Sequence, residues 1–190
     1  MTPLDTALAV ALGVGLSAAA GLRAFIPPLG VNIAALSGHL SLAEELAWLG
    51  SPVATAALAT AAVIEVGAYY IPWLDNLLDA IASPLAVVAG TLLTASTLGE
   101  ASPFLQWALA LVAGGGSAGL VQGSTVMLRG SSTAATGGLG NPLVSTGETG
   151  GAVLVTVLAL VAPLLALAGL AALAIYAVRR VRARKEAASS

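Results

Sequence analysis

Residues 129–142 read Arg129-Gly-Ser-Ser-Thr-Ala-Ala-Thr-Gly-Gly-Leu-Gly-Asn-Pro142, a polar, glycine-rich stretch between two long apolar runs. The flanking runs have the length and hydropathy of membrane helices, so the stretch is predicted to interrupt helical structure. Backbone without helical hydrogen bonds survives at membrane depth only inside protein or against a watery cavity. The stretch is therefore either a re-entrant break or a loop outside the bilayer.

The rest of the chain agrees with a bilayer setting. Of 190 residues, 58% are hydrophobic and 8% charged, against about a quarter charged in soluble domains. Abundant Gly and Ala with few aromatics suit helices that pack backbone to backbone. The absence of Cys excludes disulfides, thiolate metal sites and cysteine nucleophiles. His39 is the single histidine, which excludes a histidine-rich metal site within one chain.

Apolar runs at residues 4–22, 52–71, 81–98, 104–128 and 152–178 predict about five spans, since about 20 residues cross a bilayer core. Residues 29–48 are less apolar, carry Asn32, His39, Glu44 and Glu45, and read as re-entrant or interfacial; if they span, the count is six. The paired prolines after Phe25-Ile26 break the chain after the first run. The fold class is thus an all-α integral membrane protein, a single helical domain over residues 1–178. A tail at 179–190 opens with Arg179-Arg-Val-Arg-Ala-Arg-Lys185. Basic residues beside a span mark the cytoplasmic side, so the C-terminus is expected there, in the inner membrane, touching anionic lipid. The tail is too short for a nucleic-acid arm. Trp48, Trp73, Trp107, Tyr69, Tyr70 and Tyr176 fall near span ends, as an aromatic belt would place them.

Gly13, Ser17 and Gly21 recur every fourth position in the first run, and Gly115, Gly119 and Gly123 do so in the fourth. Such bare faces permit close helix contact. Each run is followed by a broken segment and another apolar helix, which suggests an inverted repeat of the kind found in transporters.

Ala20-Gly-Leu-Arg-Ala-Phe25, Ile71-Pro-Trp-Leu-Asp75 with Asp79, and the Ser132 to Pro142 part of the opening stretch together resemble a bacterial membrane family catalogued as domain of unknown function 4126. The resemblance covers roughly residues 10 to 170 and implies a fold and a membrane location, without an activity.

Chemistry-bearing residues are few. Glu65 lies well inside a span, where an ionisable group costs about 2.5–3.5 kcal/mol and function is the default suspicion. Arg23 is its natural opposite charge. Asn32 and the Ser132, Thr133, Thr136 and Asn141 group could line a polar pathway with them. Asp75 and Asp79, four apart, share a helical face and could hold a hard cation. Ser145 and Thr146 are expected to cap the last helix. No complete catalytic constellation or nucleophile motif is present, so the chain is not read as an enzyme, and no cofactor is implied. The expected function is a small transporter or channel for a solute or ion. The alternatives are a membrane subunit or lipid-binding scaffold, homo-oligomeric or paired with another membrane protein through its glycine faces, and, third, a metal-dependent enzyme acting on lipid headgroups.

Overall fold

The computed structural model describes residues 2–71 and 74–189, leaving out the side chains of 3, 75, 76, 181 and 183–189. The helices are α1 (Pro3–Ala20), α2 (Ile26–Leu36), α3 (Pro52–Ala68), α4 (Leu74–Thr97), α5 (Pro103–Leu109), α6 (Gly116–Thr136), α7 (Asn141–Val161) and α8 (Pro163–Ser189). A 3-10 turn, Glu44–Gly50, leads into α3, and a π-helical segment, Ala110–Gly115, joins α5 to α6 without a break. Among the described residues four helical stretches are long and apolar enough to cross a membrane, and the pair Glu44–Gly50 and Pro52–Ala68, bent by 66°, makes five if it counts as one span.

Local signals set the boundaries. Thr2 and Asp5 form a capping box at α1, with Thr2 Oγ1 accepting from the Asp5 amide at 3.2 Å. Proline occupies the first turn of α2, α3, α5 and α7, where its missing N–H is harmless. Gly137, with φ 63°, caps α6 in the left-handed region.

Two expectations are corrected here. The stretch at 129–142 is helical as far as Thr136, and only residues 137–140 form the turn into α7. Its serines, threonines and alanines satisfy their backbone within α6, so neither an unwound re-entrant break nor a long loop exists. The run at 152–178 is two helices, because Pro163 cannot donate to α7 and instead starts α8. Residues 29–48 do not span, since α2 is 11 residues long, about 16 Å.

The core is built around α1, which touches α2, α4, α6, α7 and α8. Its small face admits its neighbours at backbone distance: a Cβ on Gly13 would lie 2.9 Å from Thr94 Cα of α4. A Cβ on Gly21 would overlap the Ala118 carbonyl of α6. Ser17 Oγ donates to the Gly90 carbonyl at 2.6 Å. Gly90 in turn faces Gly114 of the π-helical segment and Ala118 of α6, so small residues let α1, α4 and α6 approach closely. Gly115 and Gly119 rest on Val87, whereas Gly123 has nothing within 4 Å.

The radial distribution of polarity is that of a protein in lipid. Phe104, Val112, Leu120 and Leu143 point outward, while Arg23, Asn32, Gln122, Arg129, Ser145 and Glu148 are buried.

Candidate functional site: a buried ion cluster

Five helix-borne segments deliver charged or polar side chains to one place. Arg23 follows the end of α1; Glu65 and Tyr69, four apart on α3, share its inner face; Asp79 sits on the first turns of α4. Arg129 lies seven residues before the end of α6 and Glu148 seven residues after the start of α7, which puts both about 10 Å from the turn that joins them.

Arg129 holds two helices together. Its Nε donates to Asp79 Oδ2 at 3.2 Å and its Nη2 pairs with Asp79 Oδ1, a two-pronged contact of the kind guanidinium geometry favours. Its Nη1 donates to Glu148 Oε2 at 2.6 Å. Arg23 reaches the same oxygen, with Nη1 at 3.3 Å. The remaining donors of Arg23 go to α7: Nε to Thr149 Oγ1 at 3.0 Å, and Nη2 to the Ser145 carbonyl at 3.0 Å and hydroxyl at 2.6 Å. Tyr69 donates its hydroxyl to Asp79 Oδ1 at 3.1 Å. Its ring centroid lies 4.2 Å from the Arg23 guanidinium carbon and 4.4 Å from that of Arg129, so one aromatic face system serves both cations.

Glu65 stands beside this cluster with a separate task. Its carboxylate accepts the Ala24 amide at 2.8 Å and the Phe25 amide at 3.2 Å. These amides open α2, where a helix leaves donors unsatisfied and favours negative charge. Glu65 thereby caps, from another helix, the break that the paired prolines create.

Both arginines are about 1% exposed and Glu148 5%, so the cluster is shielded from the protein surface. An apolar crevice of about 290 Å³ between α3 and α4 borders the cluster, walled by Phe25, Ile64, Glu65, Tyr69, Ile81 and Leu85.

Some expected residues belong here and others do not. Arg23 and Glu65 share the site without bonding to each other. Asn32 lies elsewhere, donating to the Leu49 and Ser51 carbonyls at 2.6 and 3.1 Å and so pinning the entry to α3. Ser132, Thr133, Thr136 and Asn141 lock the α6–α7 turn: Asn141 Nδ2 donates to Thr133 Oγ1 at 2.9 Å, and the Gly140 amide donates to Thr136 Oγ1 at 2.9 Å. The carboxylate of Asp79 is committed to Arg129 and Tyr69 rather than offered to a cation, and the side chain of Asp75 lies outside the described residues. Ser145 is not a cap but an inner ligand of Arg23, and Tyr69 is a core residue, 3% exposed, rather than part of an aromatic belt. Trp73 lies outside the described residues.

Glu148, Arg129, Tyr69, Ser145 and Thr149 were not anticipated as site residues. Arg129 and Glu148 did carry a signal: each is an ionisable side chain within or beside an apolar run, which in a membrane is itself a site hypothesis.

A model of one family matches residues 10–183, nearly the whole chain; its description is domain of unknown function, DUF4126. The chain belongs to that family. No curated protein and no solved structure matches it. The membership agrees with the blocks around Arg23, Asp79 and Asn141, each of which contributes to the cluster or to the turn beneath it.

Proposed function

We propose that this DUF4126 protein is a small transporter or channel whose pathway is closed by the Arg23–Glu148–Arg129–Asp79 cluster. The observation that carries the reading is the cluster's burial within a membrane-spanning bundle. Ion pairs removed from water are weak contributors to stability, and well-packed apolar residues often replace them at no cost. Packing alone therefore gives no reason to place two arginines and three carboxylates at the centre of this bundle, whereas passage of a polar solute does.

Further support comes from unmatched polar atoms on the inner faces of α6 and α7. Gln122 Nε2, Glu148 Oε1 and Thr156 Oγ1 are buried without a hydrogen-bond partner. Such atoms are uncommon in folded proteins and call for a water, an ion or a second conformation. Together with Arg23 and Ser145 they outline a polar seam along the α7 face. A solute would enter by taking over one of the ion pairs, and the freed partner would move with its helix. The basic stretch at 179–185 would hold the C-terminus on the cytoplasmic side of the inner membrane.

The scaffold alternative draws less support. Gly13, Gly21, Gly115 and Gly119 are covered by the chain's own helices, so those faces are not free for a partner.

The test is reconstitution of the purified chain in liposomes and recording of transient currents on a supported membrane while a panel of small charged solutes is applied. At least one solute should produce a current that disappears in Arg129→Gln, checked for folding by size-exclusion. Silence across the panel, or currents indifferent to that substitution, would refute the proposal.

A further inference from the structure

We infer that Glu148 is a proton-binding site, with the proton carried on Oε1. The binding itself stands on the geometry; its consequence, that a proton is the coupling ion, rests on the transport reading above.

The buried charges of the cluster do not balance. Arg23 and Arg129 supply two positive charges, and Asp79, Glu148 and Glu65 three negative ones, all buried. One negative charge is left over in a medium where an uncompensated ion is costly. The amides at the start of α2 offset part of it at Glu65, and a proton at one of the other carboxylates would remove the rest.

The hydrogen bonds of the three carboxylates place the proton on Glu148. Asp79 uses both oxygens on Arg129 and accepts from Tyr69 as well, so protonation there would break contacts with donors. Both Glu65 oxygens accept backbone amides that have no other acceptor from this site. Glu148 differs: Oε2 bridges Arg23 and Arg129, while Oε1 is buried with no partner. It is the one carboxylate oxygen of the three that can take a proton without displacing a hydrogen bond. A metal ion fits less well, because hard cations require several oxygen ligands and the other carboxylates are occupied.

The surroundings of Glu148 are accounted for element by element. Arg23 faces it from the end of α1 and Arg129 from α6. Asp79 on α4 and Glu65 on α3 lie within electrostatic reach, with Tyr69 between the guanidiniums. Among the described residues of α2 and α8 packed on α7, none that faces Glu148 carries a charge. Uptake of one proton converts the carboxylate to a neutral acid, with no redox change and no leaving group. Oε2 then loses most of its hold on both guanidiniums, and the link between the α1–α2 break and α6 loosens. Release of the proton restores it.

Difference infrared spectroscopy of the full chain in lipid nanodiscs tests the site directly. As pH falls, the wild type should gain the C=O stretch of a protonated carboxylic acid. Glu148→Gln should lose that band, Glu65→Gln should keep it, and Glu148→Asp, a folded control, should show it with a shifted midpoint. No band in the wild type, a band surviving Glu148→Gln, or a band lost in Glu65→Gln would each overturn the assignment. The same preparation in liposomes separates the two ideas. A titrating Glu148 in a chain that moves no solute retains the proton site and refutes transport. Solute flux that is indifferent to pH, in a chain without the band, does the reverse.

Discussion

Replacing Arg129 by Met keeps the aliphatic stem and removes the guanidinium. Asp79 would lose its two-pronged partner and keep the Tyr69 hydroxyl, and Glu148 would keep Arg23. The formal charge of the cluster would fall by one, from one net negative to two. Breaking a buried pair from one side costs about 3–5 kcal/mol, because the abandoned charge stays in low dielectric. At about 1.4 kcal/mol per tenfold, the folded population should drop by two to three orders of magnitude relative to the unfolded one. Reversible unfolding by SDS in mixed micelles, followed by tryptophan fluorescence, would measure it. Adding Asp79→Asn to Arg129→Met removes one abandoned charge, so the double variant should be more stable than additivity allows, by roughly 1–3 kcal/mol. Arg180→Met supplies the control: Arg180 is exposed and, among the described residues, donates to Tyr176, so the change should stay within about 0.5 kcal/mol. A single-variant cost below about 1 kcal/mol, or strict additivity of the pair, would show that the cluster does not hold α4, α6 and α7 together.

Other predictions are narrower. Gly90→Ala places a Cβ 2.6 Å from the Ala118 Cβ and should cost about 1–3 kcal/mol by overpacking, while Gly123→Ala meets open space and should be neutral or mildly stabilising; thermal unfolding monitored by size-exclusion compares them. Asn32→Leu leaves the Leu49 carbonyl without its side-chain donor and takes the Oδ1 acceptor away from the Thr55 hydroxyl; it should lower stability by about 1–3 kcal/mol in the same assay, with any residual transport intact because Asn32 lies away from the cluster. A reporter fused after residue 190 should read out on the cytoplasmic side, and an external signal would reverse the topology.

Composition and run length made the membrane class and most helices legible, because apolar length is a local property that the bilayer selects. The break between α1 and α2 at residues 21–25 was legible for the same reason: paired prolines fix the start of the helix that follows. The α7–α8 boundary was hidden by hydropathy, since Ala162 and Pro163 sit in an apolar run and only the missing N–H ends the helix. The glycine faces were legible as small-residue stripes, but not their partners; nothing local tells Gly21 to meet Ala118 or sets Gly114 on Gly90. The ion cluster was half legible. Arg23 and Glu65 announced themselves by lying in apolar surroundings, whereas the Arg129 contacts join residues 50 and 19 positions apart and depend on how α4 and α7 pack. Tyr69 was obscured by a plausible interfacial role, and its burial follows only from the two guanidiniums that converge on it.

The central claim is that the cluster opens to water during function, and single-cysteine accessibility at position 145 tests it most directly. The chain has no native Cys, so Ser145→Cys places one thiol beside Arg23. Ala118→Cys, in the closed contact of α1, α4 and α6, is the buried reference. The account predicts that a membrane-impermeant thiol reagent modifies position 145 from at least one side, faster in a Glu148→Gln background, and leaves position 118 untouched. Labelling at 145 as slow as at 118, from both sides and in both backgrounds, would contradict it.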